Sequence, residues 1–221
     1  MKCWAELFCK GAPKLCNVFC DGFVLLNIWY KQSNIPVRYQ YPQELIVEDV
    51  DSAVYECISN ISKNIGEWVE SGNSLLLYGN NKGTGKTTLA CSLANTYMRY
   101  CAKNKVTLDP VVCFIKTAKF LENMRKQFTT PTDDFIVSLK TIETVDLLII
   151  DDIGAEKPSD WVREQLLNLI DERYSNMKTT IYTSNYSISQ ISENLHERIA
   201  DRLNACTKLQ FKGKSKRGMN L

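Results

Sequence analysis

The sequence predicts an α/β fold, with a parallel sheet sandwiched between helices and a small cysteine-rich region ahead of it. Three observations carry this expectation. Short continuous apolar runs, Leu75-Leu76-Leu77-Tyr78 and Leu147-Leu148-Ile149-Ile150 among them, read as strands buried on both faces. Segments with apolar residues at helical spacing alternate with these runs, which implies crossover connections between parallel strands. A glycine-rich turn links the first such strand to a helix, and two aspartates end the second.

In chain order, the first 34 residues are cysteine-rich and aromatic, with a short helix expected over 21–31 that aligns Phe23, Leu26 and Tyr30. Asn34-Ile35-Pro36 and Tyr41-Pro42 break periodicity, so an appendage is expected to end near Ser33 to Pro36. The expected organisation is 1–34 as the cysteine-rich appendage, 35–72 as a linker with a leading helix, and 73–221 as the main domain. Val54, Ile58, Ile61, Ile65 and Trp68 place one helix over 50–69, stopped by Gly72. Further strands are expected at 111–115, 145–150, 180–183 and 208–211. Helices are expected at 86–100, 118–127, 134–142, 160–174 (capped by Ser159) and 188–200.

Composition narrows the function classes. The chain has 221 residues, 44% of them hydrophobic and 24% charged, and a net charge of +2 that argues for no polyanion by itself. No stretch reaches the roughly eighteen apolar residues of a membrane span, and no signal-peptide pattern opens the chain. A cytoplasmic protein without membrane contact is the expectation. The odd total of nine cysteines argues against a disulfide framework.

The turn after Tyr78 reads Gly79-Asn80-Asn81-Lys82-Gly83-Thr84-Gly85-Lys86-Thr87-Thr88. Glycines let the backbone curl so that successive N–H groups point at phosphate oxygens, and the helix behind adds its positive end. Lys86 would reach the β- and γ-phosphates, and Thr87 would place its hydroxyl on Mg²⁺. The strict phosphate-loop pattern is displaced by one residue. Asn80 stands where a glycine belongs, and Asn tolerates the left-handed turn expected there. Strand ends of a parallel sheet gather at one crevice, so Asp151 becomes the natural Mg²⁺ partner and Asp152 the group that orients or activates an attacking water. ATP with Mg²⁺ is the expected ligand.

Asp151-Asp152-Ile153-Gly154-Ala155-Glu156-Lys157-Pro158 followed by Trp161-Val162-Arg163-Glu164 resembles the AAA+ P-loop ATPases of the DnaC/DnaI helicase-loader type. Asn34-Ile35-Pro36-Val37-Arg38-Tyr39, Thr183-Ser184-Asn185 and Glu197-Arg198-Ile199-Ala200-Asp201-Arg202-Leu203 match the same family, so the resemblance spans about 35–217. It implies that Asn185 acts as sensor I and that Arg202 is an arginine finger for a neighbouring subunit, with Arg198 the alternative. It also implies that Arg217 is the sensor II arginine. A solvated helix face would present Arg198 and Arg202 in the same way. Asp152 stands where most AAA+ proteins carry Glu, and the chain ends without room for a C-terminal lid domain. Both lead us to expect a slow ATPase used as a switch, and an Arg202 acting on a neighbouring subunit implies that it depends on oligomerisation.

The resemblance further implies an ATP-dependent loader of a replicative DNA helicase that self-associates and engages single-stranded DNA. Lys116, Lys119, Phe120 and Arg125 are the candidate contacts for the strand, Phe120 by stacking; an amphipathic helix with a solvated basic face reads equally well. Cys3, Cys9, Cys16 and Cys20 could close a tetrahedral Zn²⁺ site, or pack as four reduced thiols among Trp4, Phe8 and Phe19. Two other functions fit the same motifs. One is a transposition helper of the IstB type, whose ATP-binding core is closely similar; the other is a nucleotide-binding adaptor that modulates a helicase.

Overall fold

In a computed structural model, the structure describes residues 20–40, 48–104, 107–129, 133–155 and 159–216. Among these, five strands form one all-parallel sheet: β1 (Leu75–Tyr78), β2 (Val112–Lys116), β3 (Leu147–Asp151), β4 (Thr179–Ser184) and β5 (Thr207–Gln210). Their order across the sheet is β2-β3-β4-β1-β5. The chain therefore leaves β1 at one side of β4 and returns at β3 on the other, so the β4 end lies between the two loops that matter most.

The strand residues sort by parity, as alternating side chains must. Leu75, Leu77, Val112, Phe114, Leu147, Ile149 and Ile181 face one core, and Leu76, Cys113, Ile115, Leu148, Ile150 and Tyr182 face the other. The first core is covered by α1 (Asp21–Gln32), α2 (Ser52–Lys63), α3 (Ile65–Glu70) and α4 (Lys86–Asn104). The second is covered by α5 (Thr117–Thr129), α6 (Asp133–Thr144), α7 (Asp160–Ser175), α8 (Ile188–Asn194) and α9 (Glu197–Asn204). This is the three-layer arrangement expected from the sequence.

Several boundaries moved. The helix expected over 50–69 breaks at Asn64, whose φ of −117° and ψ of 31° leave the helical region. The helix expected over 188–200 divides at Leu195 and His196. His196 is extended, and its Nδ1 accepts from the Arg198 N–H to start α9. Ser159 has the dihedrals of an N-cap to α7, but its side chain makes no capping bond.

The expected break after residue 34 does not separate α1 from the rest. Leu26, Trp29 and Tyr30 are buried in the first core, Tyr30 Oη donates to Asn95 Oδ1, and Ser33 O accepts from the Phe114 N–H on the outer edge of β2. Burial of three large apolar side chains outweighs the local break in periodicity that suggested a boundary. Among the described residues no helix is long and apolar enough to cross a membrane.

Candidate nucleotide site

The site grows from the end of β1. Gly79 passes so close to the chain leaving β5 that a Cβ there would lie 2.2 Å from Phe211 O. Its displaced position is thereby explained: this glycine answers to the neighbouring strand. The left-handed turns fall instead at Gly83 (φ 77°) and Gly85 (φ 101°), a region that favours glycine. The left-handed conformation expected at Asn80 is not adopted. Lys86, buried at the start of α4, donates from Nζ to Gly79 O at 3.0 Å and Asn81 O at 2.9 Å. Its ammonium thus sits at the centre of the loop. Lys82 is exposed, Thr84 is buried beneath the loop, and Thr88 follows Thr87 in the first turn of α4, where backbone N–H groups lack intrahelical partners.

From this loop a path of hydrogen bonds crosses the strand ends. Thr87 Oγ1 donates to Asp151 Oδ1 at 2.7 Å, and Thr183 Oγ1 donates to the same oxygen at 2.7 Å. Thr183 Oγ1 also accepts from the Asp152 N–H at 2.9 Å, and Asn185 Nδ2 donates to Asp152 Oδ1 at 2.7 Å. Asp152 has φ 62°, and a short carboxylate tolerates that left-handed region better than most side chains. Thr117 Oγ1 fixes the backbone from below by donating to Asp151 O. The structure therefore brings Lys86, Thr87, Asp151, Asp152 and Asn185 together. Thr183, the hub between the Asp151 carboxylate and the Asp152 N–H, is part of the family match Thr183-Ser184-Asn185 but is assigned no role from it.

On the loop's outer side, the segment after β5 is laced to the leading helix. Asp51, fully buried, accepts from the N–H groups of Lys212 and Gly213, and Glu48 accepts from that of Lys214. Asn81 Nδ2 donates to Gly213 O, Lys216 N–H donates to Gly83 O, and Lys216 Nζ donates to Tyr55 Oη. Sequence reasoning missed Asp51, Tyr55 and Lys216, because contacts so far apart in sequence leave no local pattern. Arg217 lies outside the described residues.

Arg198 and Arg202 are not at this site. Arg202 occupies the last turn of α9, just before Thr207, which pairs with Leu75 at the start of β1. The phosphate loop follows the other end of β1, whose four residues rise about 13 Å. Both arginines instead meet Asp171 of α7: Arg202 Nε is 2.7 Å from Oδ1 and Arg198 Nη2 is 3.1 Å from Oδ2.

Phe120 is a correction. It is 5% exposed in the second core, packed among residues of β2 and β3, so it cannot stack on a base. Lys116, Lys119 and Arg125 are exposed. Cys3, Cys9 and Cys16 lie outside the described residues. Cys20 is an exposed free thiol, and among the described residues no group of three or more His, Cys, Asp or Glu could hold a metal.

Comparison with known proteins gives a consistent picture. The family described as IstB-like ATP binding protein matches residues 49–220. The chain is 32% identical over 212 residues to the phage-like element PBSX protein XkdC of Bacillus subtilis (strain 168), which covers 89% of this chain and 68% of that protein. It is 25% identical over 140 residues to the replicative helicase loader DnaI of the same organism, covering 63% of this chain and 41% of DnaI, so it spans less than half of that relative. Among solved structures, that of the DnaC helicase loader superposes with a TM-score of 0.64 at 25% identity, covering 80% of this chain and 100% of that one.

Proposed function

This chain belongs to the IstB-like ATP binding protein family, and from that membership we propose that it is an ATP-driven loader of a replicative DNA helicase onto single-stranded DNA. The observation that carries the proposal is the likeness to the DnaC helicase loader, which spans the whole of that solved chain and most of this one. The replicative helicase loader DnaI supports the same reading.

In this reading ATP lies on residues 79–88, and the residues present suit it. The glycine turns open the backbone around Lys86, and the Thr87 hydroxyl and the Asp151 carboxylate already meet at 2.7 Å. Thr87 and Asp151 would hold the Mg²⁺ that accompanies the nucleotide and neutralises phosphate charge. Asp152, oriented by Asn185, would align a water on the γ-phosphate and take its proton. Lys86 would exchange its loop carbonyls for phosphate oxygens. Arg202 lies too far from its own loop to serve it, so it would complete the site of an adjacent copy, with hydrolysis depending on self-association. The segment ahead of α1 would grip the helicase, and Lys116 and Lys119 would follow the DNA backbone. Zinc at the N-terminal cysteines forms no part of the proposal.

The test is reconstitution with the replicative helicase of the native host. Loading requires that the protein bind the helicase and, with ATP, raise the amount of helicase on a circular single strand. No helicase binding and no change in delivery would refute it. The family description itself favours one second reading, a transposition helper of the IstB type. Stimulation of a transposase on duplex DNA, without any effect on helicase delivery, would establish that reading instead.

A further inference from the structure

Resting on the reading of Arg202 as a group that acts on a neighbouring copy, we infer that Asp171 is the positioning residue that sets how this arginine leaves the subunit surface. Four contacts support it. Asp171 Oδ1 takes Arg202 by its Nε edge at 2.7 Å, while Oδ2 takes Arg198 at 3.1 Å. The Arg202 guanidinium carbon sits 4.7 Å over the ring of Tyr174, which is on α7 with Asp171. Asp201 Oδ2 lies 3.7 Å from Arg202 Nη1. A guanidinium gripped at Nε and laid on an aromatic face cannot swing freely. The grip on Nε leaves the Nη1–Nη2 edge, beside Asp201, as the one that would meet phosphate.

One carboxylate therefore orders two arginines a helical turn apart. Arg198 balances the second oxygen and Arg202 is aimed. Asp171 belongs to α7, whose Leu166, Leu169 and Ile170 are buried in the second core, so the anchor itself is rigid. The ion pairs are partly exposed, with Arg202 at 34% and Arg198 at 63%, and pairs of that kind contribute little to stability. The role of Asp171 should consequently appear in turnover and leave melting almost unchanged.

The experiment measures ATP turnover, with the replicative helicase and single-stranded DNA present, for wild type, Asp171→Ala, Arg202→Ala and the double variant. Arg202→Ala is expected to lower kcat about 100-fold or more. Asp171→Ala is expected to lower kcat about 10-fold through misalignment, with KM for ATP within about 2-fold and Tm within about 2 °C. The double variant should be no slower than Arg202→Ala. Mixing Asp171→Ala with Lys86→Ala should restore turnover above either alone, because the Lys86→Ala copies bring a correctly aimed arginine to intact loops.

If Asp171→Ala turns over normally while Arg202→Ala does not, the positioning role is wrong and the reading of Arg202 stands. If Arg202→Ala turns over normally, that reading fails and this inference falls with it. A large loss of Tm in Asp171→Ala without recovery on mixing would make Asp171 a structural residue and overturn the proposal.

Discussion

Replacing Thr183 by Val isolates the hub of the site with almost no change in shape. The hydroxyl is buried, with Thr183 at 2% exposure, and it makes two bonds: one to Asp151 Oδ1 and one from the Asp152 N–H. A hydrogen bond to a carboxylate contributes about 1.5–3 kcal/mol, and an orphaned buried N–H costs about 1–3 kcal/mol. The two share one oxygen, and the Asp152 side is only partly buried, so the sum overstates the loss. A net destabilisation of about 2–4 kcal/mol follows, which for a chain of this size lowers Tm by roughly 5–12 °C. Turnover should fall about 10-fold, because the Asp151 carboxylate and the Asp152 backbone lose their common support. Thermal unfolding and ATP turnover are to be measured side by side, with Thr183→Ser as the control that restores the hydroxyl. A Thr183→Val protein that melts and turns over like wild type would refute the hydrogen-bond path as the organiser of the site.

Other predictions reach beyond this hub. Arg173 is fully buried and donates to the carbonyls of Ile142, Glu143, Val145 and Thr179 and to Thr180 Oγ1, so Arg173→Met should cost about 3–5 kcal/mol by orphaning that set, read by denaturant unfolding. Burial pushes the Cys113 and Cys206 thiols up to about 11 from 9.0, so the folded chain keeps protons that the unfolded chain loses. Their contribution to stability is full below pH 9.0 and is lost as pH rises through about 11, so unfolding free energy should decline across that window, less steeply in Cys113→Ala. Replacing Lys116 and Lys119 by Ala should weaken single-strand binding and flatten its salt dependence by about 0.7 per lost phosphate contact, measured by titration at several salt concentrations. Phe120→Leu should leave that binding unchanged.

The fold was legible because its signals are local. Leu147 to Ile150 are apolar at consecutive positions, and only a strand covered on both sides accommodates that run; the two cores take them alternately. The phosphate loop and the aspartates were legible for the same reason, as was Asn185 through the resemblance. What the sequence hid is long-range or backbone-dependent. Thr183 falls within the family match, yet its bond to Asp151 needs β4 to lie beside β3, which no local pattern shows. Phe120 looks available for stacking when the helix over 118–127 is placed without its neighbours, and the packing of α5 on β2 turns that ring inward. The packing of α1 into the first core was hidden too, since a break in periodicity near Ser33 marks the end of a helix and says nothing of what the helix packs against. Asp171 had no motif at all: its meaning comes from α9 returning to lie against α7.

Coupling between the nucleotide site and helicase delivery lies at the centre of the proposed function, and one measurement addresses it directly. Helicase retained on a circular single strand is quantified with wild-type protein and with Lys86→Ala, each in the presence of ATP. Wild type is expected to raise the retained helicase several-fold, whereas Lys86→Ala should bind the helicase yet fail to complete its delivery. Equal delivery by both proteins, or none by wild type that demonstrably binds ATP, would contradict it.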